Sequence, residues 1–315
     1  MADVETVLVT GAFGYVGLAV VRAFAASGVR VVALGHAPRN EAARAVIPSG
    51  VEVIEADVLA CAPILAKPHA AARCGDPPRG RWRSAEDRGR PWSPRSARTS
   101  APRPSLRRRA AGVSRLYSTP STIAVYGTHR DHGRPYVEID SCMPDDPYGI
   151  VKEAAEHAWV ALAGGVSLRL ANIFGAGAGV DMGINGAVER FARAAASGGS
   201  ITVFGTGAQR IDYVHVDDVA RAFELAAFAA SPPPVVNIGS GAPISIAEMA
   251  AVSERVGREL GTPPTRIEQP APAGKSWPDR SLAIDLAKSA LGWQPTRSFE
   301  SGFAELARMM QTPAK

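Results

Sequence analysis

The sequence predicts an α/β fold built on a parallel sheet, and three observations carry that reading. An apolar run at residues 6–9 is followed at once by glycines at spacing three, Gly11, Gly14 and Gly17, and then by apolar residues at helical spacing through Phe24. Short apolar runs keep alternating with helical patterns along most of the chain, which makes right-handed βαβ units. The chain has 315 residues, 46% of them apolar, enough to bury a large core as one α/β domain or as two lobes.

In order, residues 6–9 form the first strand, and the helix that follows points its N-terminus back at the glycine turn. Free backbone N–H groups and the helix dipole suit such a turn to an anion such as a pyrophosphate, and glycine is needed where a Cβ would block close approach. A glycine-rich turn by itself is equally compatible with an ordinary tight loop. Residues 29–34 give a second strand, 40–47 a short helix, and 51–54 a third strand ending at Glu55-Ala56-Asp57-Val58. The pattern then stops. Residues 77–109 are mainly Arg, Pro, Ser, Gly and Ala, with Trp82, Trp92 and Leu106 as the only large apolar side chains. Such a composition cannot supply a buried strand and predicts disorder or loose attachment.

Alternation resumes at Val113. A strand is expected over 114–125, with Pro120 awkwardly inside it, then a helix over 148–162 and a strand over 166–170. A glycine-rich turn follows at 175–183, with a helix over 186–196 and strands over 201–204 and 213–216. A helix over 217–229, a strand over 235–238, a helix over 244–260, a strand near 266–268 and helices over 285–291 and 299–310 complete the chain. There are no internal repeats.

Charge and cysteines narrow the function classes. The whole chain carries +5, but residues 73–115 hold 13 arginines against Asp76, Glu86 and Asp87, so that segment carries +10 and the rest carries −5. The basic character is local, and no folded motif presents those arginines to a nucleic acid. No apolar run is long enough to cross a bilayer, and the first residues lack the basic, then apolar start of a signal peptide. Three cysteines, Cys61, Cys74 and Cys142, lack metal-site spacing, and no metal is expected; a reduced, cytoplasmic setting fits.

The chemistry-bearing pattern is Tyr148-Gly149-Ile150-Val151-Lys152, which puts a phenol and an ammonium at i and i+4 on one helix face. A nearby ammonium favours phenolate, so a lowered Tyr148 pKa is expected, useful for proton transfer. Tyr and Lys also meet at this spacing by chance on many helices. The company changes the reading: a glycine turn upstream, and Ser121-Thr122-Ile123-Ala124-Val125-Tyr126-Gly127 at the end of the strand just before.

Together these residues resemble the extended short-chain dehydrogenase/reductases, in particular the NAD(P)-dependent sugar-nucleotide epimerases and dehydratases of the UDP-glucose 4-epimerase type. TGAFGYVG resembles that family's cofactor turn, STIAVYG its Ser/Thr strand end, YGIVK its YxxxK pair and LRLANIFG its "LRxxNvyG". RIDYVHVDDVARA, NIGSG and ALGWQP resemble three further family motifs, all in order over residues 6–60 and 112–310. The resemblance implies a Rossmann doubly wound parallel sheet over residues 1–172 and a smaller α/β substrate lobe over 173–315, with 211–240 returning to the Rossmann sheet.

Residue by residue, the resemblance makes Tyr148 the acid/base toward the sugar 4-hydroxyl. Lys152 becomes the partner of the nicotinamide ribose, and Thr122 the hydrogen-bonding group on the reacting oxygen, with Ser121 as second choice. It assigns the turn of Gly11, Phe13, Gly14, Tyr15, Val16 and Gly17 to the cofactor, with Asp57 on the adenine amino group and Val58 beside it. Asn172 and Arg210 would hold the nucleotide-sugar diphosphate, where a guanidinium suits two phosphate oxygens, and Asn185 is a candidate nucleotide contact. The implied partners are a nucleoside-diphosphate sugar and, in the family, a second copy of the chain; neither nucleic acid nor membrane is expected.

Three departures refine this. The acidic residue that usually ends the second strand in NAD-specific members is replaced by Gly35-His36 with Arg39 close by, which tips the expectation from NAD toward NADP. The Asp-Glu pair that dehydratases place after the active-site Thr is Ile123-Ala124 here, which disfavours dehydration and leaves an epimerase, or a reductase/dehydrogenase. Third, residues 61–111 stand where the family has a strand, a cofactor loop and a long helix of its dimer interface. A paired frameshift in GC-rich coding DNA explains the Arg/Pro-rich replacement; a genuine basic insert is the alternative, and resequencing the gene separates them. The replacement would weaken stability, cofactor binding and dimerisation, and at the limit leave an impaired or inactive product.

Overall fold

The computed structural model describes residues 6–36, 41–56, 118–127, 133–162, 165–176, 186–268 and 278–311. Three parallel strands open the fold: β1 (Thr6–Thr10), β2 (Arg30–Gly35) and β3 (Glu52–Glu55), joined by α1 (Tyr15–Ala26) and the short α2 (Glu41–Ala45). Their order is β1-β2-β3, with Val7 opposite Val31 and Val32 opposite Glu52. The apolar stripe of α1, Leu18, Val20, Val21 and Phe24, is buried, as its helical spacing requires.

A second parallel set contains β4 (Ser118–Thr122) and β5 (Val166–Leu170). Between them lies α3 (Pro147–His157), which continues as a wider π turn over Ala158–Leu162, so the expected helix ends in a changed winding rather than a clean α-helical turn. The strand expected over 114–125 stops at Thr122 within the described residues. Ile123–Tyr126 is a 3₁₀ turn, because the Thr122 side chain accepts a hydrogen bond from the Ala124 N–H and caps it. Pro120 sits in β4 opposite Leu168 and, among the described residues, β4 pairs only with β5, which is the edge setting that tolerates a missing N–H.

The remainder alternates short strands and longer helices. Strand β6 (Asn172–Phe174) precedes α4 (Ala187–Ser197), β7 (Ser200–Thr202), β8 (Arg210–Ile211) and β9 (Tyr213–His215). Then come α5 (Val216–Phe228), β10 (Val235–Ile238), β11 (Ile244–Ser245), α6 (Ile246–Glu259) and β12 (Arg266–Glu268). Two helices, α7 (Asp285–Leu291) and α8 (Phe299–Gln311), close the fold. The helix expected from residue 244 starts two residues later, because Ile244 and Ser245 first pair antiparallel with β8. Ser245 then caps α6 in a reciprocal box with Glu248.

Among the described residues the long parallel strands fall into two sheets, β1-β2-β3 and β10-β5-β4, with no ladder between β1 and β4. The expected replacement of a strand–helix unit concerns residues 61–111, which lie outside the described residues. Strand β5 is buried at every position, whereas Leu8 in β1 is 39% exposed. One continuous core nevertheless spans both sheets. It runs from α1 and β2 through Val125, Tyr126 and β5 to α5, β10 and Trp293. The bridge is helical: α1 packs on α5, with Phe24 and Phe228 rings 6.2 Å apart and Ser27 donating to Glu224. A second core joins α4, α6 and α8 around Phe174, Val203 and Tyr213.

Candidate functional site

The glycine turn is built for close approach. Gly11 has φ +63°, a conformation that favours glycine, and its carbonyl accepts from the Gly14 N–H at 3.0 Å. A Cβ placed on Gly17 would lie 2.1 Å from the Gly11 oxygen, so helix and turn touch as only glycine permits. Gly14 caps α1 without a side-chain hydrogen bond, and no acidic residue occupies the first helical turn. The N-terminal N–H groups are therefore left for an outside acceptor, which fits the diphosphate of a dinucleotide. Phe13 is buried and packs under Gly35, where a Cβ would come within 3.2 Å of its ring; Val16 joins the same core. The Tyr15 phenol donates to the Gly175 carbonyl at 2.7 Å. His36 is exposed just after β2, while Arg39, Asp57 and Val58 lie outside the described residues. Gly17→Ala is expected to cost about 1–3 kcal/mol of stability, since the added methyl meets backbone, and to weaken dinucleotide binding about tenfold or more. Thermal unfolding and a fluorescence titration with the reduced dinucleotide measure both.

The second half of the site is carried by β4 and α3. Asp146 caps α3 by accepting from the Gly149 N–H at 2.7 Å, with Pro147 at the first helical position. Gly149 lies so close to the 3₁₀ turn that a Cβ would be 2.8 Å from the Ala124 oxygen. This contact draws the start of α3 against the end of β4 and brings Tyr148 to Thr122. The Thr122 hydroxyl lies near enough to the phenol to favour its ionised form. Thr122 Oγ1 already accepts from the Ala124 N–H at 3.3 Å, so its own proton is free for an oxygen placed beside it. Lys152, one turn along α3, donates to the Pro120 carbonyl at 3.2 Å and lies 5.8 Å from the centre of the Tyr148 ring.

One electrostatic expectation is corrected. Burial raises the Tyr148 pKa, with the nearby Thr122 hydroxyl opposing and the Asp146 carboxylate adding to the rise. Lys152 does not lower it, because its ammonium is turned to the Pro120 carbonyl and its own pKa is depressed by burial. Tyr148 is thus held as the phenol, an acid, in this state of the chain.

Ser121 faces the other way. It is 3% exposed, its buried Oγ makes no hydrogen bond among the described residues, and it is not brought to Tyr148. Beneath the site runs a polar network that sequence reading missed. Arg169 on β5 forms an ion pair with Glu156 on α3 at 2.6 Å and donates to Tyr126 Oη at 2.8 Å. Ser167 donates to Glu156 at 3.0 Å, and Tyr126 donates to Asn237 on β10 at 2.8 Å. The one local pattern, Glu156 four residues after Lys152, points to a pair along the helix, whereas Glu156 pairs with Arg169 on the strand beneath. Cys142 lies beside Arg169, its thiol pushed up by burial, which makes it a poor nucleophile.

The residues expected on the substrate are arranged in part. The Asn172 amide donates to the Asp212 carbonyl at 3.1 Å. Asp212, fully buried, accepts from Ser240 N–H and Leu282 N–H at 2.7 and 3.1 Å and knits β9, β10 and the late segment together. Arg210 is held by Asp279, which accepts from its N–H at 2.7 Å. Its guanidinium bonds the Pro243 carbonyl and pairs with exposed Glu248, on the wall of a cavity of about 530 Å³ that includes Ser240, Arg297 and Phe299. Asn185 lies outside the described residues. His215 caps α5, its Nδ1 accepting from the Asp217 N–H, a structural role; fully buried Trp293 donates to the Asp218 carbonyl. Trp277 lies outside the described residues. Among the described residues no three side chains gather as metal ligands, and no helix is long and apolar enough to cross a membrane.

A model of the NAD dependent epimerase/dehydratase family matches residues 7–239. The chain is 33% identical over 205 residues to a dTDP-6-deoxy-L-talose 4-dehydrogenase (NAD(P)(+)) of Kitasatospora kifunensis, covering 60% of this chain and 63% of that protein. It is 28% identical over 221 residues to a UDP-glucose 4-epimerase of Mycolicibacterium smegmatis, 66% of each chain. The match thus spans less than two thirds of either relative. Among solved structures, MoeE5 in complex with UDP-glucuronic acid and NAD superposes with a TM-score of 0.67 at 24% identity, over 98% of this chain and 99% of that one, a likeness of fold. The chain belongs to the NAD dependent epimerase/dehydratase family, and its fold is the α/β Rossmann-like one with parallel sheets.

Proposed function

We propose that this family member acts on a nucleoside-diphosphate sugar as an NAD(P)-dependent epimerase at sugar carbon 4, of the UDP-glucose 4-epimerase type. The observation that carries the reading is the meeting of Tyr148, Thr122 and Lys152 at the end of β4. A bound NAD(P) supplies hydride exchange at that carbon. The chain's residues supply the rest. The amides of the glycine turn bind the dinucleotide diphosphate, and Lys152 turns from Pro120 to the nicotinamide ribose. Thr122 directs its free proton to the reacting oxygen, while the phenolate form of Tyr148 takes the proton from the 4-hydroxyl and the resulting phenol returns it. Asn172 and Arg210 hold the sugar-nucleotide diphosphate; for Arg210 the competing pair with exposed Glu248 is weak, ~0–1 kcal/mol. Residues 1–172 form the dinucleotide-binding domain and 173–315 the substrate lobe, with 211–240 returning to the first.

Gly35-His36 and Arg39 favour NADP over NAD. Ile123 and Ala124, buried in the 3₁₀ turn, offer no acid or base for dehydration. The second reading is a 4-reductase or dehydrogenase, favoured by the likeness to the talose 4-dehydrogenase. Absorbance of the reduced cofactor during turnover of UDP- and dTDP-sugars, with NAD and NADP in parallel, separates the two. An epimerase inverts the sugar with no net change, whereas a dehydrogenase accumulates or consumes reduced cofactor stoichiometrically. Absence of turnover and of dinucleotide binding overturns both and leaves the impaired product of a shifted reading frame, in which pairing with a second copy is also weakened.

A further inference from the structure

One side chain of the glycine turn reaches out of the turn altogether. Tyr15 is the first residue of α1, so its backbone N–H belongs to the group left for a bound diphosphate. Its phenol donates to the Gly175 carbonyl at 2.7 Å, across 160 residues of sequence. Burial, with the Glu189 and Asp217 carboxylates adding to it, pushes the Tyr15 pKa far up, so the phenol stays a donor at any working pH. Gly175 follows β6, two residues after Ile173 and three after Asn172, and its φ of +119° favours glycine.

The other side of Gly175 is closed. A Cβ there would fall 2.3 Å from His215 Nε2, and His215 is itself locked by its cap on α5 and by an edge-on contact with Phe174, ring centres 5.4 Å apart. Gly175 is therefore clamped between an imidazole that cannot move and a phenol anchored in the glycine turn. The Tyr15 phenol thus joins the glycine turn directly to the chain three residues beyond Asn172.

We propose that Tyr15 is a positioning residue that links occupancy of the glycine turn to the placement of the chain at Gly175, so that dinucleotide and sugar nucleotide bind with positive coupling. The inference rests on the reading given under Proposed function. Linkage makes the coupling reciprocal: whatever factor NAD adds to the affinity of the sugar nucleotide, the sugar nucleotide adds to that of NAD.

Calorimetric titration of the full chain and of Tyr15→Phe with UDP-glucose, with and without saturating NADP and, in parallel, NAD, tests this. In the parent, the dinucleotide is expected to tighten UDP-glucose about tenfold. In Tyr15→Phe the coupling factor is expected to fall to about one, whatever change each ligand shows when titrated alone. A merely structural hydrogen bond would lower the melting temperature and leave the coupling factor where it was, and that result overturns the proposal. So does a parent in which the two ligands bind independently. A parent that binds neither ligand removes the functional reading, and this inference with it, before the variant is compared.

Discussion

Replacing Tyr148 with phenylalanine is expected to leave dinucleotide binding within about twofold and to lower turnover by about 10²–10⁴, the range for loss of a positioned acid/base. The variant keeps the ring, its place in the first turn of α3 and its contact with Lys152, and removes only the phenol oxygen near Thr122. The change is thus confined to proton transfer, and kcat should fall while KM holds. The pH profile of the parent adds a second check. Because burial and Asp146 raise the Tyr148 pKa, the basic form is scarce near neutrality, and oxidation of the 4-hydroxyl is expected to speed up as pH rises toward that pKa. Tyr148→Phe should lose this rising limb. If the variant turns over as fast as the parent, Tyr148 is not the acid/base.

The candidate cluster was legible because its parts are local. Tyr148 and Lys152 share a helix face by spacing alone, and the glycines of the turn declare themselves by spacing too. Elements set by a single strong pattern appear where expected: β10 at Val235–Ile238, β12 at Arg266–Glu268 and α7 at Asp285–Leu291. The misses have physical causes. The apolar run through Val125 reads as strand, yet the Thr122 side chain offers the Ala124 N–H a nearer acceptor and the chain coils into a 3₁₀ turn. The π turn after His157 and the two-residue strands β8 and β11 depend on tertiary packing, which no short window of sequence carries. The Lys152 ammonium chose a backbone carbonyl over the Tyr148 oxygen, a competition that spacing cannot rank. Likewise Ser121 and Thr122 are adjacent and chemically alike, and only the alternation of β4 sends one to the core and the other to the site.

The least legible feature carries the second large effect. Arg169→Ala is expected to cost about 3–5 kcal/mol, because it strands the Glu156 carboxylate in the core without its cation. Arg169 and Glu156 are 5% and 2% exposed, so water cannot take over the lost bonds. The melting temperature should fall by on the order of 10 °C for a chain of this size. Glu156→Gln is expected to cost less, since the amide keeps an acceptor for the guanidinium. The pH dependence has a definite sign. Burial opposes the Glu156 charge, but the Arg169 hydrogen bonds and charge, with Ser121 and Ser167, outweigh it and hold the pKa below the ordinary carboxylate value. The stability it contributes is therefore complete above the unfolded carboxyl pKa and is lost as pH falls through the depressed folded value. Thermal unfolding from neutral pH into the acid range should show a steeper acid loss in the parent than in Glu156→Gln. Equal slopes would mean that the pair does not control acid stability. A Glu156→Met/Arg169→Met double variant sharpens the argument: with both charges gone it should be more stable than Arg169→Ala, as expected when the penalty lies in the unpaired carboxylate rather than in the lost bonds themselves. Since α3 is fastened to β5 through this pair, the same variants should loosen the approach of Tyr148 to Thr122 only to the extent that Gly149 no longer lies against Ala124.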